Sequence, residues 1–116
     1  MNIDSIKDRL NCKVLHLNEN NSNDEIRHVI ASDLMSDVLT DTRDNVILIT
    51  SLCSEQSLRT ADIIDAKAVI IVKGKRVLDG MIELAKKLNI SLFSTKDCKF
   101  EASVKLGKLM REHDAK

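Results

Sequence analysis

The sequence contains no proline, tryptophan or tyrosine, has only three glycines and two phenylalanines, and carries no formal net charge. Because 18 basic residues balance 18 acidic ones, no overall field favours nucleic acid or an anionic membrane as a partner. The scarcity of aromatic rings also leaves little with which to stack nucleic-acid bases. We therefore expect a protein that binds neither nucleic acid nor membranes.

Long hydrophobic runs are lacking too. Runs such as residues 68–72 are far shorter than the roughly 20 residues that cross a bilayer, and the first residues show no secretion signal. The three cysteines, Cys12, Cys53 and Cys98, form no paired motif, which is typical of free thiols in a reducing compartment. No proline- or glycine-rich linker divides the chain. We expect a cytoplasmic protein with a single domain over residues 1–116.

From residue 45 onward, apolar runs alternate with helical stripes. The runs at 46–50, 68–73 and 90–94 have no polar side, which is typical of parallel strands covered on both faces. Helices are predicted over 54–65, over the stripe from Leu78 to Leu88, and from about 97 to 111. The pattern predicts an α/β fold with a C-terminal βαβαβα core, a parallel sheet with a mixed sheet as the alternative, and helices flanking it in three layers.

The N-terminal part is less regular. Ile3, Ile6 and Leu10 predict a first helix, followed by a strand at 13–17 and an extended segment at 25–31. Ser32 is typical of a helix N-cap, which predicts a helix through residue 41 that buries Leu34, Met35, Val38 and Leu39. On that helix Asp33, Asp37 and Asp41 would form one carboxylate face, which we interpret as solvated. We expect no metal site and no cofactor.

Three loops follow the predicted parallel strands, at the sheet edge where such folds bind ligands. Hydroxyls, lysines and free helix amides at this edge are suited to a phosphate or a carboxylate. Helix capping is the alternative role for several of them. The candidate anion-binding residues are Thr50, Ser51, Ser54, Lys73, Lys75, Thr95 and Lys96.

The alternative function is a small enzyme that uses Cys53 or these same hydroxyl and lysine loops. A helix N-terminus next to Cys53 would lower the pKa of its thiol and make it a nucleophile, whereas a buried, inert cysteine is the interpretation that we favour. The segment at Gly74-Lys75 lacks the upstream glycine and the following Ser or Thr of a phosphate-binding P-loop, so we do not expect ATP hydrolysis or phosphotransfer.

The last predicted helix is apolar over an arc wider than one sheet face requires. Its main stripe contains Ala102, Leu106 and Leu109, whereas Phe100 and Val104 point nearly the opposite way. Either the first helix or a second subunit covers that other side. Residues 1–58 hold 5 basic and 10 acidic side chains and residues 59–116 hold 13 and 8, which also suits self-association. We expect a homodimer with Phe100 and Val104 at its interface.

Four ordered segments resemble DRTGG-domain proteins: residues 29–39, 46–50, 68–75 and 94–102. The likeness extends from about Cys12 to Leu109, although the five-letter motif that names the family does not occur, so no motif-based site is transferred. The resemblance implies a fold similar to the N-terminal domain of HPr kinase/phosphorylase and a regulatory or assembly role. It also implies partners among hydrogenase or electron-transfer complexes. Kinase activity is not implied, because it belongs to a P-loop domain that this sequence lacks.

Together these observations predict a non-catalytic regulatory or scaffolding module. It would self-associate, sense a small anionic metabolite or a nucleotide, and work with metabolic or redox enzyme complexes.

Overall fold

The computed structural model describes residues 1–114 and contains one five-stranded sheet with helices on both faces. The strands are β1 (Lys13–His16), β2 (His28–Ala31), β3 (Val46–Thr50), β4 (Ala68–Ile71) and β5 (Ser91–Ser94). The helices are α1 (Ile3–Arg9), α2 (Met35–Val38), α3 (Glu55–Ile63), α4 (Asp79–Leu88) and α5 (Lys99–Asp114). No helix within residues 1–114 is long and apolar enough to span a membrane.

The sheet is mixed, with strand order β1-β5-β4-β3-β2. Strands β2 to β5 run parallel, and β1 runs antiparallel on the outer side of β5, so that Lys13 pairs with Ser94. The α/β fold with a parallel βαβαβα core is confirmed, and the sheet takes the mixed form. The direction of β1 places its first residue beside the ends of the parallel strands.

Strand β3 shows why the fold has three layers. Its alternate residues enter two separate cores, since Val46 and Leu48 pack with α2, α3 and α4, whereas Ile47 and Ile49 pack with α1 and α5. All five residues of β3 are buried, because helices cover both faces of the strand. The continuous apolar run in the sequence is the direct consequence.

Helix α1 covers part of the second side of α5. Ile3 and Ile6 are buried in the same core cluster as Ala102 and Leu106. A reciprocal capping box starts α1, with the Asn2 side chain accepting from the Ser5 amide at 2.9 Å. The first helix, one of the two alternatives predicted to cover the second side of α5, therefore covers part of it. Phe100 and Val104 nevertheless stay exposed, at 69% and 39%.

The helix expected from Ser32 to residue 41 is much shorter in the structure. Helix α2 spans four residues, and Leu34 rather than Ser32 is its N-cap. The Ser32 hydroxyl instead accepts from the Leu34 amide at 3.1 Å, which forms a turn ahead of the helix.

The expected carboxylate face on this helix is consequently wrong. Asp33 lies before α2 and Asp41 lies after it, and each pairs with a different basic residue. The side chains of Leu34 and Leu39 are exposed rather than buried. Only Met35 and Val38 reach the core, because one helical turn presents just two residues to the sheet.

Candidate functional site

A cleft of about 730 Å³ opens at the carboxyl edge of β4 and β5. The loop after β4 and the loop after β5 form two of its walls, and the start of β1 forms another. This is the edge at which open parallel sheets bind ligands. The volume lies within the range of small-molecule sites.

Basic residues predominate among the charged side chains that line the cleft. Two acidic residues, Asp79 and Asp97, face five basic ones: Lys13, Lys75, Arg76, Lys96 and Lys105. The remaining side chains include the aliphatic Leu15, Val77 and Ile82 but no aromatic ring. The cleft is therefore suited to an anionic molecule without a stacked base.

Two of the five cations already have partners. Lys105 Nζ lies 2.8 Å from an Asp97 carboxylate oxygen, and this hydrogen bond raises the pKa of Lys105. Lys75 Nζ donates to the Ser51 carbonyl oxygen. The side chains of Lys13, Arg76 and Lys96, by contrast, make no ion pair with any residue of the range 1–114.

Backbone contacts between the two loops hold the cleft walls together. The Gly74 amide donates to the Thr95 carbonyl at 2.8 Å, and the Lys73 amide donates to the Asp97 carbonyl at 2.8 Å. Both Lys73 and Gly74 have positive φ, which glycine adopts readily and lysine does not. The buried Thr95 hydroxyl donates to the Leu10 carbonyl at 3.0 Å, which attaches the end of α1 to the same wall.

A second polar cluster surrounds Asp33, outside the cleft. The Thr50 hydroxyl, the Ser51 amide and hydroxyl, and Lys99 Nζ all donate to its carboxylate, at 2.5–3.0 Å. Burial alone would raise the pKa of Asp33, but the hydrogen bonds from Lys99, Ser51 and Thr50 outweigh it and hold the pKa below its usual range. An internal carboxylate thus occupies the donors that the sequence suggested for an external anion.

The seven candidate anion residues are accordingly divided at the sheet edge. Lys75, Thr95 and Lys96 line the cleft, and Thr50 and Ser51 bind Asp33. Lys73 is exposed and does not line the cleft. Ser54 is the N-cap residue of α3, but its hydroxyl is buried with no hydrogen-bond partner within residues 1–114.

The thiols do not have the character that the enzyme alternative needs. Burial raises the pKa of Cys53, despite the opposing effect of Lys75, and its Sγ lies 3.5 Å from the Arg76 carbonyl oxygen. Burial, together with the nearby Asp97 carboxylate, also raises the pKa of Cys12, to about 12. The pKa of Cys53 is thus raised rather than lowered as the enzyme alternative would need, because burial outweighs the positive charge of Lys75.

Sequence reasoning missed three basic residues of the cleft and the role of Asp33. Arg76 directly follows Lys75, so its position in the loop was a usable signal. Lys13 and Lys105 carried none, because an antiparallel β1 and the second turn of α5 bring them to the cleft. The helical spacing of Asp33 predicted only a place on a helix face. Its hydrogen-bond partners lie 17 to 66 residues away in sequence, which spacing along one helix does not indicate.

A solved structure with a similar fold is described as the CBS and DRTGG domains of the regulatory region of Clostridium perfringens pyrophosphatase, complexed with the activator diadenosine tetraphosphate. The match has a TM-score of 0.73 at 24% sequence identity and covers 88% of this chain and 44% of that chain. No protein-family model and no curated protein sequence matches the chain. The fold is thus the one that the sequence resemblance implied: that of a DRTGG-like α/β domain.

Proposed function

We propose that this chain is a non-catalytic regulatory or scaffolding module that binds a small anionic metabolite in the cleft and self-associates. The observation that carries the proposal is a set of three cations, Lys13, Arg76 and Lys96, that form no ion pair within residues 1–114 and surround a ligand-sized cleft at the carboxyl edge of the sheet. Metabolic or redox enzyme complexes are the partners that the resemblance implies.

The structural neighbour supports a regulatory role. Its solved part belongs to the regulatory region of a pyrophosphatase and holds a nucleotide activator. This chain spans less than half of that protein's chain, so a nucleotide ligand is carried over only as an alternative. We favour a phosphorylated or carboxylated metabolite, because the side chains lining the cleft offer cations and aliphatic groups but no ring for stacking.

Loss of two cleft cations should weaken anion binding. A thermal-shift panel of nucleotides, phosphorylated metabolites and inorganic anions identifies a ligand, and calorimetry then compares the wild type with a Lys75→Ala/Lys96→Ala variant. We expect at least about tenfold weaker binding by the variant, which corresponds to about 1.4 kcal/mol, because each lost charge-assisted hydrogen bond contributes at least that much. The difference should shrink at higher salt, since exposed charges are screened.

Lys73→Ala is the matched control for this experiment. Lys73 is an exposed lysine two positions before Lys75, and it does not line the cleft. Its removal should leave the affinity unchanged. Equal binding by the wild type and the double variant would contradict the cleft as the anion site, and no binding across the whole panel would contradict anion sensing.

Self-association is proposed through the outer face of α5. Phe100 and Val104 lie one helical turn apart, so they form one exposed apolar strip next to the face that α1 covers. Two-fold pairing would remove this strip from water, and two-fold dimers are the commonest soluble assembly.

A Phe100→Glu variant should remain monomeric where the wild type dimerises. A charge in the middle of an apolar contact has no partner there, and burying it carries a large free-energy penalty. Sedimentation velocity at micromolar to tens of micromolar concentrations measures the result. Ile63→Glu is the control, because Ile63 is equally exposed but lies on α3 at the opposite face of the sheet. A monomeric wild type, or a variant that dimerises equally well, would disprove this interface.

A further inference from the structure

We infer that the cleft selects a compact polyanion, a molecule with at least two phosphate or carboxylate groups, over an anion with a single such group. This inference rests on the proposed binding of anions in the cleft. It goes further by assigning the charge and the size of the ligand.

The first argument is the placement of the unpaired cations. Lys13 belongs to β1, Arg76 to the loop after β4, and Lys96 to the loop after β5. They therefore stand on three separate segments around a space of about 730 Å³. One orthophosphate fills only a small part of such a space. Two or more linked anionic groups reach cations on different walls together.

The second argument is the balance of charge in the cleft. Five basic and two acidic residues line it, and Asp97 is largely neutralised by Lys105 at 2.8 Å. Asp79 lies in the first turn of α4, where the helix N-terminus favours a negative charge. The remaining lining thus carries an excess of positive charge that an anion with a single phosphate or carboxylate group would compensate only in part.

Lys75 adds a fourth cation at small cost. Its ammonium is bound to a neutral carbonyl oxygen of Ser51 rather than to a carboxylate. Turning it towards a ligand exchanges a bond to a neutral oxygen for a bond to an ionised oxygen, which adds the attraction between opposite charges. A ligand with more anionic groups can therefore pair with more of these four cations.

The uncharged residues that line the cleft indicate what kind of skeleton links the anionic groups of the ligand. Leu15, Val77 and Ile82 are aliphatic, and no lining residue provides a ring or a planar surface for a base. The lining therefore favours a short skeleton without a ring, whether aliphatic or a phosphoanhydride. Bisphosphates, pyrophosphate and compact polycarboxylates share the required chemistry.

Calorimetric titration with inorganic probes tests the inference. Orthophosphate, pyrophosphate and citrate are titrated separately at the same ionic strength, into the wild type and a Lys13→Ala/Arg76→Ala variant. We expect pyrophosphate to bind the wild type at least tenfold more tightly than orthophosphate, and the variant to lose most of that preference. Comparison of pyrophosphate with citrate shows whether the anionic groups are phosphates or carboxylates.

Lys87→Ala is the charge-matched control, because Lys87 is exposed near the end of α4 and does not line the cleft. It should keep the full preference, and all variants should unfold at the same urea concentration as the wild type. Equal affinity for orthophosphate and pyrophosphate would overturn the polyanion inference while leaving the anion site intact. So would a preference that Lys13→Ala/Arg76→Ala retains. Absence of binding by every anion would overturn both proposals.

Discussion

Phe93→Ala is expected to lower the free energy of unfolding by about 3–5 kcal/mol, the usual effect of emptying a buried phenylalanine site. Phe93 is fully buried in β5, in the core that the sheet forms with α1 and α5. A domain of this size has a total stability of only about 5–15 kcal/mol, so the loss removes a large part of it. Urea unfolding followed by circular dichroism measures the change.

The second phenylalanine of the chain provides the control. Phe100→Ala makes the same chemical change at a side chain that is 69% exposed, so the free energy of unfolding of the monomer should change by less than about 0.5 kcal/mol. Because this residue belongs to the proposed dimer surface, both proteins are compared below the concentration at which they associate. Similar losses in the two variants would contradict the assignment of Phe93 to the core.

Asp33→Asn is expected to destabilise the protein by about 1–2 kcal/mol at neutral pH. The substitution removes the charge to which Lys99, Ser51 and Thr50 donate, and hydrogen bonds to charged groups contribute more than neutral ones. The side chain is 41% exposed, so the effect lies at the lower end for such a cluster. Asp37→Asn changes an exposed carboxylate of the neighbouring helix and should have almost no effect.

The stabilisation of the folded protein by the Asp33 carboxylate should decrease as the pH falls. Its pKa is lower in the folded protein than the ordinary value of about 3.9 in the unfolded chain. The stabilisation is therefore complete above that ordinary value and is lost as the pH falls from there towards the depressed pKa of the folded state. Urea unfolding at pH 7, 5 and 3 should show a constant gap between wild type and Asp33→Asn at the two higher values and a smaller gap at pH 3. A gap that widens on acidification would contradict the ion pair with Lys99.

The sequence by itself determined the order of elements in the core. The run at 46–50 became β3 residue for residue, because a strand buried on both faces must be apolar throughout. The helices after β3 and β5 lie within a few residues of their predicted bounds, since their apolar stripes follow the helical period. The hydroxyl and lysine loops were also placed at the correct sheet edge, which follows from the parallel direction of the strands.

Only the tertiary structure decided which polar residues at the carboxyl edge of the sheet line the cleft and which bind Asp33. Apolar spacing records which residues are buried, but it does not record the direction in which an edge strand pairs, and the antiparallel β1 brings Lys13 to the cleft. Nor does it record polar contacts between distant segments, such as those of Asp33 with Lys99, Thr50 and Ser51, which occupy donors that the sequence assigned to an external anion. Hydrogen bonds depend on the placement of individual atoms to within a fraction of an ångström, and that placement exists only once the whole chain has packed.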